Sequence, residues 1–104
     1  MTDEQINIAI AEYRGWQILE PEVHKAITYH WAIEPDGSKS ILPDCCNDLN
    51  AMREVEMTLS NEIYEEYWNQ LIFVCMNEGE ERMNSASAKL RAKAFVITIG
   101  KWKE

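Results

Sequence analysis

The sequence lacks a long apolar run, and this absence argues against a membrane-spanning helix. The longest uninterrupted apolar stretch covers residues 71–76, whereas crossing a bilayer takes about 20 apolar residues. The first residues, MTDEQ, are acidic and have neither the basic nor the apolar region of a secretory signal. We therefore expect a protein of the cytoplasm.

Glycine and cysteine are also scarce, and their placement argues against two further classes of protein. The four glycines, Gly15, Gly37, Gly79 and Gly100, are isolated turn or cap residues, so the chain has no glycine-rich loop to hold a phosphate. Three cysteines are present. An odd number in a chain without a secretory signal favours free thiols over a disulfide framework. Cys75 lies in the apolar run and is predicted to be a small core residue.

Basic residues are rare over most of the chain and concentrated near its end. Residues 1–81 contain 17 acidic and 4 basic side chains, a balance of −13, whereas residues 82–104 contain 1 acidic and 6 basic side chains, a balance of +5. This separation is typical of a basic helix that lies against an acidic body, and it also fits a partner site of either sign. Because phosphate contacts supply most sequence-independent affinity for DNA, nucleic acid is an unfavourable partner for this acidic chain.

Four segments have the periodicity and the end signals of helices. Their predicted bounds are residues 3–14, 45–58, 61–77 and 85–100. Thr2 and Gln5 form a capping box before the first helix, and Gly15 suits the left-handed position after it. The second helix, entered through Pro43–Asp44 and capped by Asp44, Asn47 or Asp48, is predicted to be the hub between a small sheet and a helical layer.

The last predicted helix carries most of the basic side chains. Lys89, Arg91 and Lys93 are predicted to face the solvent, and Gly100 closes the helix before a short tail, residues 101–103. The predicted inner stripe consists of Ala86, Leu90, Ala94 and Ile97, with Phe95 and Val96 beside it.

Between the first two helices the pattern changes to that of strands. Residues 16–19 form a short apolar segment, and residues 23–33 alternate with the period of one strand rich in aromatic and β-branched side chains. Residues 34–37, EPDG, are a turn signal, so residues 38–42 are predicted to return as the partner strand of an antiparallel hairpin. The predicted apolar face of the long strand contains Val23, Ile27, Tyr29, Trp31 and Ile33. We therefore expect one α+β domain over residues 1–104, with a small hairpin-based sheet packed against the helices.

Three blocks, in order along nearly the whole chain, carry a resemblance to a known family. The blocks are residues 6–12 (INIAIAE) followed by Gly15–Trp16, residues 48–52 (DLNAM) followed by Glu54 and Glu56, and the stretch from Ala86 through residues 91–95 (RAKAF) to Gly100–Lys101–Trp102. In these blocks the chain resembles the phage ABA sandwich domain family, whose members are small and mostly uncharacterised phage and prophage proteins.

The resemblance implies a compact α/β sandwich with helices outside a small sheet, a phage or prophage source, and a bacterial cytoplasm. It carries over no catalytic residue. The sequence departs from the family pattern over residues 71–84, because the family would have a short strand near residues 81–84, where this chain is acidic and polar. Whether residues 71–84 are helix throughout or include a strand stays open at this point.

The cysteines and histidines do not predict a metal site. Zinc sites usually take four ligands from spaced pairs, whereas Cys45 and Cys46 are adjacent and point in divergent directions. His24 and His30 would lie about 20 Å apart along an extended strand. Pairs of neighbouring carboxylates are expected by chance in a chain with 18 acidic residues. We predict no metal, no cofactor and no assembled catalytic set.

The two adjacent thiols give an alternative function. A thiol near a helix N-terminus can have a lowered pKa, and Cys45 and Cys46 would have that position in the predicted second helix. A histidine of the hairpin could approach them. Because no motif of a cysteine enzyme flanks them, a small cysteine-dependent enzyme or redox protein rests on their location alone.

The sequence favours a non-enzymatic, acidic protein-interaction module, because no catalytic set is assembled. We expect a host or phage protein as its partner, bound through Trp102, the acidic face or the hairpin. The predicted partner surface consists of Trp102, Lys89, Arg91, Lys93 and Lys101. One variant is a DNA mimic whose carboxylates imitate phosphates. Nucleic-acid binding through residues 89–103 is a further alternative, and a homodimer through a broad apolar helix face stays open.

Overall fold

The fold is α+β, as the sequence predicts, and a computed structural model describes it for residues 1–79 and 86–103. In the described residues, four helices accompany five short strands. In chain order the elements are α1 (Asp3–Tyr13), β1 (Gln17–Ile18), β2 (Glu22–His24), β3 (Ile27–Tyr29), β4 (Trp31–Ile33), β5 (Lys39–Ile41), α2 (Leu49–Met57), α3 (Asn61–Asn77) and α4 (Ala88–Thr98). None of the helices in this part of the chain has the length and apolar character needed to cross a bilayer.

The ends of α1 confirm the signals that the sequence provides for them. The Thr2 hydroxyl accepts a hydrogen bond from the Gln5 amide at 3.2 Å, and the Thr2 amide donates to Gln5 Oε1 at 2.8 Å, which completes the capping box. Gly15 has a φ of 86°. Its amide donates to Glu12 O, and the amide of Trp16 donates to Ala11 O, both at 3.0 Å. These two bonds form a Schellman motif, which turns the chain from α1 into β1.

The sheet that packs on α1 has three antiparallel strands in the order β1-β4-β5. The predicted hairpin is confirmed, because β4 pairs with β5 and joins Ala32 to Ser40. Ala32, in the central strand, is fully buried and forms a small cluster with Ala11 and Leu42. Small side chains on both surfaces let α1 approach the sheet closely.

The single strand predicted over residues 23–33 is wrong. The chain turns between β2 and β3 at Lys25 and Ala26, whose φ values are 49° and 65°, and β2 pairs with β3 as a separate two-stranded ribbon. Positive φ at both central residues identifies a type I′ turn, which usually contains asparagine and glycine. The turn shifts the alternation of faces by one residue, because Val23 shares a face with Thr28 and His24 shares a face with Ile27. The period-two pattern of the sequence continues unchanged through Lys25 and Ala26, so it gave no signal of this shift.

The predicted faces of that segment are also wrong. Val23 and Ile27, assigned to the apolar face, are 66% and 55% exposed, whereas Ala32 of the opposite face is buried. The ribbon extends past the part of the sheet that α1 covers, so its apolar side chains find no core to enter.

The second helix begins later than predicted. Asp48 is its N-cap, with Oδ1 accepting from the amides of Asn50 at 3.0 Å and Ala51 at 3.4 Å. Residues 45–47 form a turn in which Asp44 O accepts from the amides of Asn47 and Asp48. Cys45 and Cys46 therefore precede the helix rather than belong to its first turn.

The predicted role of the second helix as the hub is wrong, because α4 is the central helix. It packs against α1, α2 and α3, and its buried side chains point in nearly every direction. These are Ala88, Arg91, Ala92, Ala94, Phe95 and Val96. A helix whose buried side chains lie on several faces has no single narrow apolar stripe, so the predicted inner stripe covered only part of its contacts. The connection between sheet and helices is made instead by α1, which contacts both β1 and α4.

The third helix has the predicted bounds, and the fourth is shorter than predicted. The third helix covers residues 61–77, as predicted, with Ser60 as its N-cap. Ser87 caps α4 and accepts from the Leu90 amide at 3.2 Å, so this helix is shorter than predicted at both ends. The strand that the family would have near residues 81–84 lies outside the described residues.

Candidate functional site

The C-terminal tail, residues 100–103, is positioned by the end of α4. Gly100 has a φ of 74°. Its amide donates to Ile97 O and the Lys101 amide donates to Val96 O, both at 3.0 Å. This second Schellman motif reverses the chain beside the helix. The tail lies between the C-terminal half of α3 and the outer side of α1, where it borders two grooves.

The first groove, the α3 groove, contains the predicted anchor Trp102. It has a volume of about 510 Å³ and is lined by Gln70, Phe73, Val74, Asn77, Lys93, Ile97, Gly100 and Trp102. Lys93 Nζ lies 5.1 Å from the centre of the Trp102 ring and 3.3 Å from Glu78 Oε1. Phe73, on the opposite wall, is 66% exposed. The groove thus combines two aromatic side chains with one ion pair.

The second groove, the α1 groove, is larger and contains the predicted surface residue Lys101. It has a volume of about 790 Å³ and is lined by Met1, Gln5, Ile8, Ala9, Glu12, Tyr13, Ile99, Lys101 and Lys103. One rim is formed by the polar side chains of α1 and the other by the two lysines of the tail. Both lysines are exposed, and within the described part of the chain neither forms an ion pair.

Lys89 is exposed, as predicted, but it lines neither groove. Its Nζ lies 3.1 Å from Asp3 Oδ1 at the start of α1. That hydrogen bond and the Asp3 charge raise the pKa of Lys89. The structure therefore brings Lys93, Lys101 and Trp102 to the tail and leaves Lys89 on another part of α4.

Arg91 does not belong to the predicted partner surface, because it is buried at 7% exposure. Its Nη1 donates to Glu56 Oε2 at 2.9 Å, and its Nε donates to Ala86 O at 3.0 Å. A buried guanidinium needs a carboxylate and further acceptors to replace water. Glu56, on the neighbouring α2, supplies the carboxylate, so the prediction that Arg91 faces the solvent is wrong.

Glu56 also accepts a hydrogen bond from the Tyr67 hydroxyl at 2.5 Å, which completes a buried network of Arg91, Glu56 and Tyr67. Burial, followed by the bond to the carboxylate, raises the pKa of Tyr67 far above its usual range. The phenol therefore stays neutral at physiological pH. None of the three side chains lines either groove, and the network joins α2, α3 and α4.

Cys45 and Cys46 are buried rather than displayed at a helix end, with exposures of 1% and 3%. Burial raises the pKa of the Cys45 thiol to about 11 and that of the Cys46 thiol to about 12. The amide of Cys46 donates to Asn7 Oδ1 at 3.3 Å, which holds this turn against α1. The lowered pKa expected for a reactive thiol is absent, because desolvation outweighs any effect of the nearby helix.

The two histidines lie at separate acidic neighbours and do not meet the thiols. His24 Nε2 is 3.7 Å from Glu22 Oε2, and His30 Nδ1 is 3.5 Å from Glu4 Oε1. Over residues 1–79 and 86–103, no group of three or more histidine, cysteine, aspartate or glutamate side chains has the arrangement to hold a metal ion.

Sequence reasoning missed the α1 groove, since its apolar floor comes from a helix and a tail that are far apart in the chain. The motif KWK could have identified Lys103 as well as Lys101, because both lysines flank Trp102 in it. Comparison of the chain with protein-family models, curated proteins and solved structures finds no match. The chemistry of the grooves is therefore the basis for a functional inference.

Proposed function

We propose that this protein is a non-enzymatic interaction module that binds a host or phage protein through its tail surface. The tail surface consists of Phe73, Lys93, Lys101, Trp102 and Lys103. We place the protein in the cytoplasm of a bacterium that carries the phage or prophage, as the family resemblance implies.

The observation that carries this proposal is the meeting of apolar grooves and free cations at the tail. Phe73 exposes most of its ring beside the partly covered ring of Trp102. Lys101 and Lys103 stand beside an apolar floor, with no ion pair to another described residue. Aromatic anchors dominate binding energy when a partner covers them, and unpaired charges at the rim favour a partner of opposite sign.

These features define the chemistry of the partner. A segment with an apolar side chain for one of the grooves and carboxylates beside it would complement the tail surface. The recognition mode that best fits the outer side of α1 is a helix of the partner that lies in the α1 groove.

The alternative of a cysteine-dependent enzyme loses its support, because both thiols are buried and the pKa of each is raised. Nucleic-acid binding through residues 89–103 is weakened as well. Lys89, Arg91 and Lys93 each lie within 4 Å of a carboxylate of the same chain, so these three side chains are not available as free phosphate contacts.

The test is affinity capture from a bacterial lysate followed by a titration with the purified partner. We expect Trp102→Ala to weaken the binding by at least about tenfold, which corresponds to about 1.4 kcal/mol. Lys101→Glu should weaken it as well, and more strongly in low salt than in high salt. Isothermal titration calorimetry measures both effects.

Two variants outside the tail surface serve as matched controls. Met57→Ala removes an exposed apolar side chain, and Arg53→Glu reverses an exposed charge; neither residue lines a groove. Both should bind as the unmodified protein does. If the control substitutions weaken the binding and the tail substitutions do not, the partner binds elsewhere on the protein. A lysate and a phage-infected lysate that yield no partner would contradict the proposal.

A further inference from the structure

The ribbon of β2 and β3 is a separate two-stranded sheet, joined to β5 by an ion pair between Glu22 and Lys39. All of residues 20–28 are exposed, on both faces of the ribbon. Val23 and Ile27 are among them, at 66% and 55% exposure. A two-stranded ribbon with no covered face is only marginally stable in water, and a third strand or a packed helix is normally required. The ribbon therefore has the character of an arm that is completed by a partner.

The register determines which backbone groups of the ribbon are free. Val23 is opposite Thr28, and His24 is opposite Ile27 next to the two-residue turn. Such a turn is closed by a hydrogen-bonded pair, and bonded and non-bonded pairs alternate along an antiparallel ladder. The pair of Val23 and Thr28 is thus non-hydrogen-bonded, so the N–H and C=O of Val23 point to the open edge of β2.

The geometry points to a homodimer in which β2 of two copies pairs antiparallel about Val23. This inference is independent of the tail surface. A twofold axis between the two Val23 residues lets each N–H donate to the C=O of the other copy. The two ribbons then form one four-stranded sheet, in which each chain supplies the strand that the other lacks.

The charges of β2 favour a second copy of the same strand as the occupant of this edge. With Val23 on the twofold axis, Glu22 is opposite His24 of the second copy, and the reverse pair is formed as well. Lys25 is opposite Pro21 of the second copy and next to its Glu20. Glu22 and a protonated His24 attract each other across the strands, as Lys25 and Glu20 do, and the two valines form an apolar pair between them. The strand is therefore complementary to itself when the two copies are antiparallel, as an isologous contact requires.

The outer edge of β3 is a poorer site for the same contact. Leu42 N–H donates to His30 O at 2.8 Å, so the chain that follows β5 occupies that edge up to His30, and Pro43 comes next. A copy of β3 paired about Thr28 would bring its own turn against Leu42 and Pro43. Among residues 1–79 and 86–103, no strand pairs with the open edge of β2.

Sedimentation velocity over a wide range of protein concentration tests the dimer. The ribbon is short, so we expect a weak, concentration-dependent monomer–dimer equilibrium. Val23→Lys places two cations opposite each other and should raise the dissociation constant at least about tenfold. The matched control is Val23→Thr, which keeps the branched side chain and the backbone N–H and should change the constant by less than about threefold.

A charge exchange tests the register. His24→Glu places a carboxylate opposite Glu22 of the second copy and should weaken the dimer, whereas E22H/H24E exchanges the two partners and should restore it. Isotope-filtered NMR on mixed labelled and unlabelled chains should show intermolecular contacts at Val23. Circular dichroism confirms that each variant is folded, which is expected because these side chains are exposed. A monomer at every concentration, or a dimer unaffected by both Val23→Lys and His24→Glu, would overturn the inference.

Discussion

The thiols of Cys45 and Cys46 are buried in the turn between β5 and α2, which packs against α1. For Cys46 the carboxylates of Asp3 and Asp44 add to the effect of burial, since a negative charge nearby disfavours a thiolate. For Cys45 the guanidinium of Arg14 opposes burial without cancelling it. Both side chains therefore behave as small core residues at neutral pH.

We predict that both thiols are alkylated slowly in the native protein. The pKa of each thiol rises from a usual value of 9.0 to about 11 or about 12. Two pH units correspond to about 100-fold less thiolate, the reactive species. Iodoacetamide labelling at pH 7.5, followed by peptide mass spectrometry, should be at least about 100-fold slower in native than in denatured protein.

The same shifts give stability a pH dependence of known sign. Above pH 9 the thiols of the unfolded chain lose protons while those of the folded chain keep them. The unfolded state then binds fewer protons, so the free energy of unfolding falls as the pH rises from 9 to about 12. Rapid native labelling of Cys45 or Cys46 at neutral pH would contradict this account and revive the cysteine-dependent alternative.

At the residue scale, the sequence predicts features that depend on near neighbours and misses those that depend on distant ones. The capping box of Thr2 and Gln5 is local, and so it was predictable from four consecutive residues. The burial of Arg91 is not, because its carboxylate partner lies on another helix. The turn at Lys25 and Ala26 was missed for a different reason. Neither residue type is favoured at positive φ, where a side chain costs about 1–2 kcal/mol.

Among the elements, α4 is held in place by the network of Arg91, Glu56 and Tyr67. One residue comes from each of α4, α2 and α3, so the network fixes the relative positions of three helices. The side chains of Arg91 and Glu56 are 9% and 11% exposed. At that burial, removal of one partner leaves the other charge in the interior without its counter-ion.

We predict that Arg91→Met lowers the free energy of unfolding by about 3–5 kcal/mol, because it strands the buried carboxylate of Glu56. Tyr67→Phe keeps the ring in the core and removes only one hydrogen bond to that carboxylate. It should cost about 1–2 kcal/mol. Chemical denaturation followed by circular dichroism measures both values.

The control for this prediction is Lys89→Met, which removes a cation from the exposed face of the same helix. Its ion pair with Asp3 is solvated, so the denaturation midpoint should stay within experimental error. Equal effects of Arg91→Met and Lys89→Met would show that the network does not stabilise the helices.

The elements themselves were largely predictable, and their arrangement was not. The helices at residues 61–77 and near residues 3–14 follow from apolar periodicity and cap residues. The central place of α4 has no such signal, because alanine-rich helices such as this one allow close packing on several sides without a strong stripe. The residues of α1 and α3 that line the grooves beside the tail were not predicted either, although Trp102 and Lys101 were predicted as surface residues.

Over the whole molecule, charges that are separated in sequence become paired in space. The basic residues of α4 reach acids on three parts of the body: Lys89 contacts Asp3, Arg91 contacts Glu56, and Lys93 contacts Glu78. The acidic excess of residues 1–81 is thus partly neutralised by the segment that follows. The protein as a whole keeps a net charge of −8.

We predict that the protein does not bind duplex DNA at physiological salt. The net charge repels phosphate, and the cations of α4 are engaged within the chain. Fluorescence anisotropy of a labelled duplex should show no binding.

The double variant Asp3→Asn, Glu78→Gln tests whether ion pairs within the chain prevent the cations of α4 from binding DNA. It frees Lys89 and Lys93 and should increase binding in low salt relative to the unmodified protein. Binding by the unmodified protein that weakens steeply with salt would support the nucleic-acid alternative instead.

The central position of α4 has a consequence for how the chain folds during synthesis. The leading helices emerge from the ribosome first, and the faces that pack on α4 stay uncovered until it follows. The packing of α1 on α4 joins segments that are far apart in the sequence, and such long-range closure slows folding. A nascent chain that stops before α4 therefore exposes the apolar side chains that α4 covers, and exposed apolar surface of this kind favours aggregation and chaperone binding.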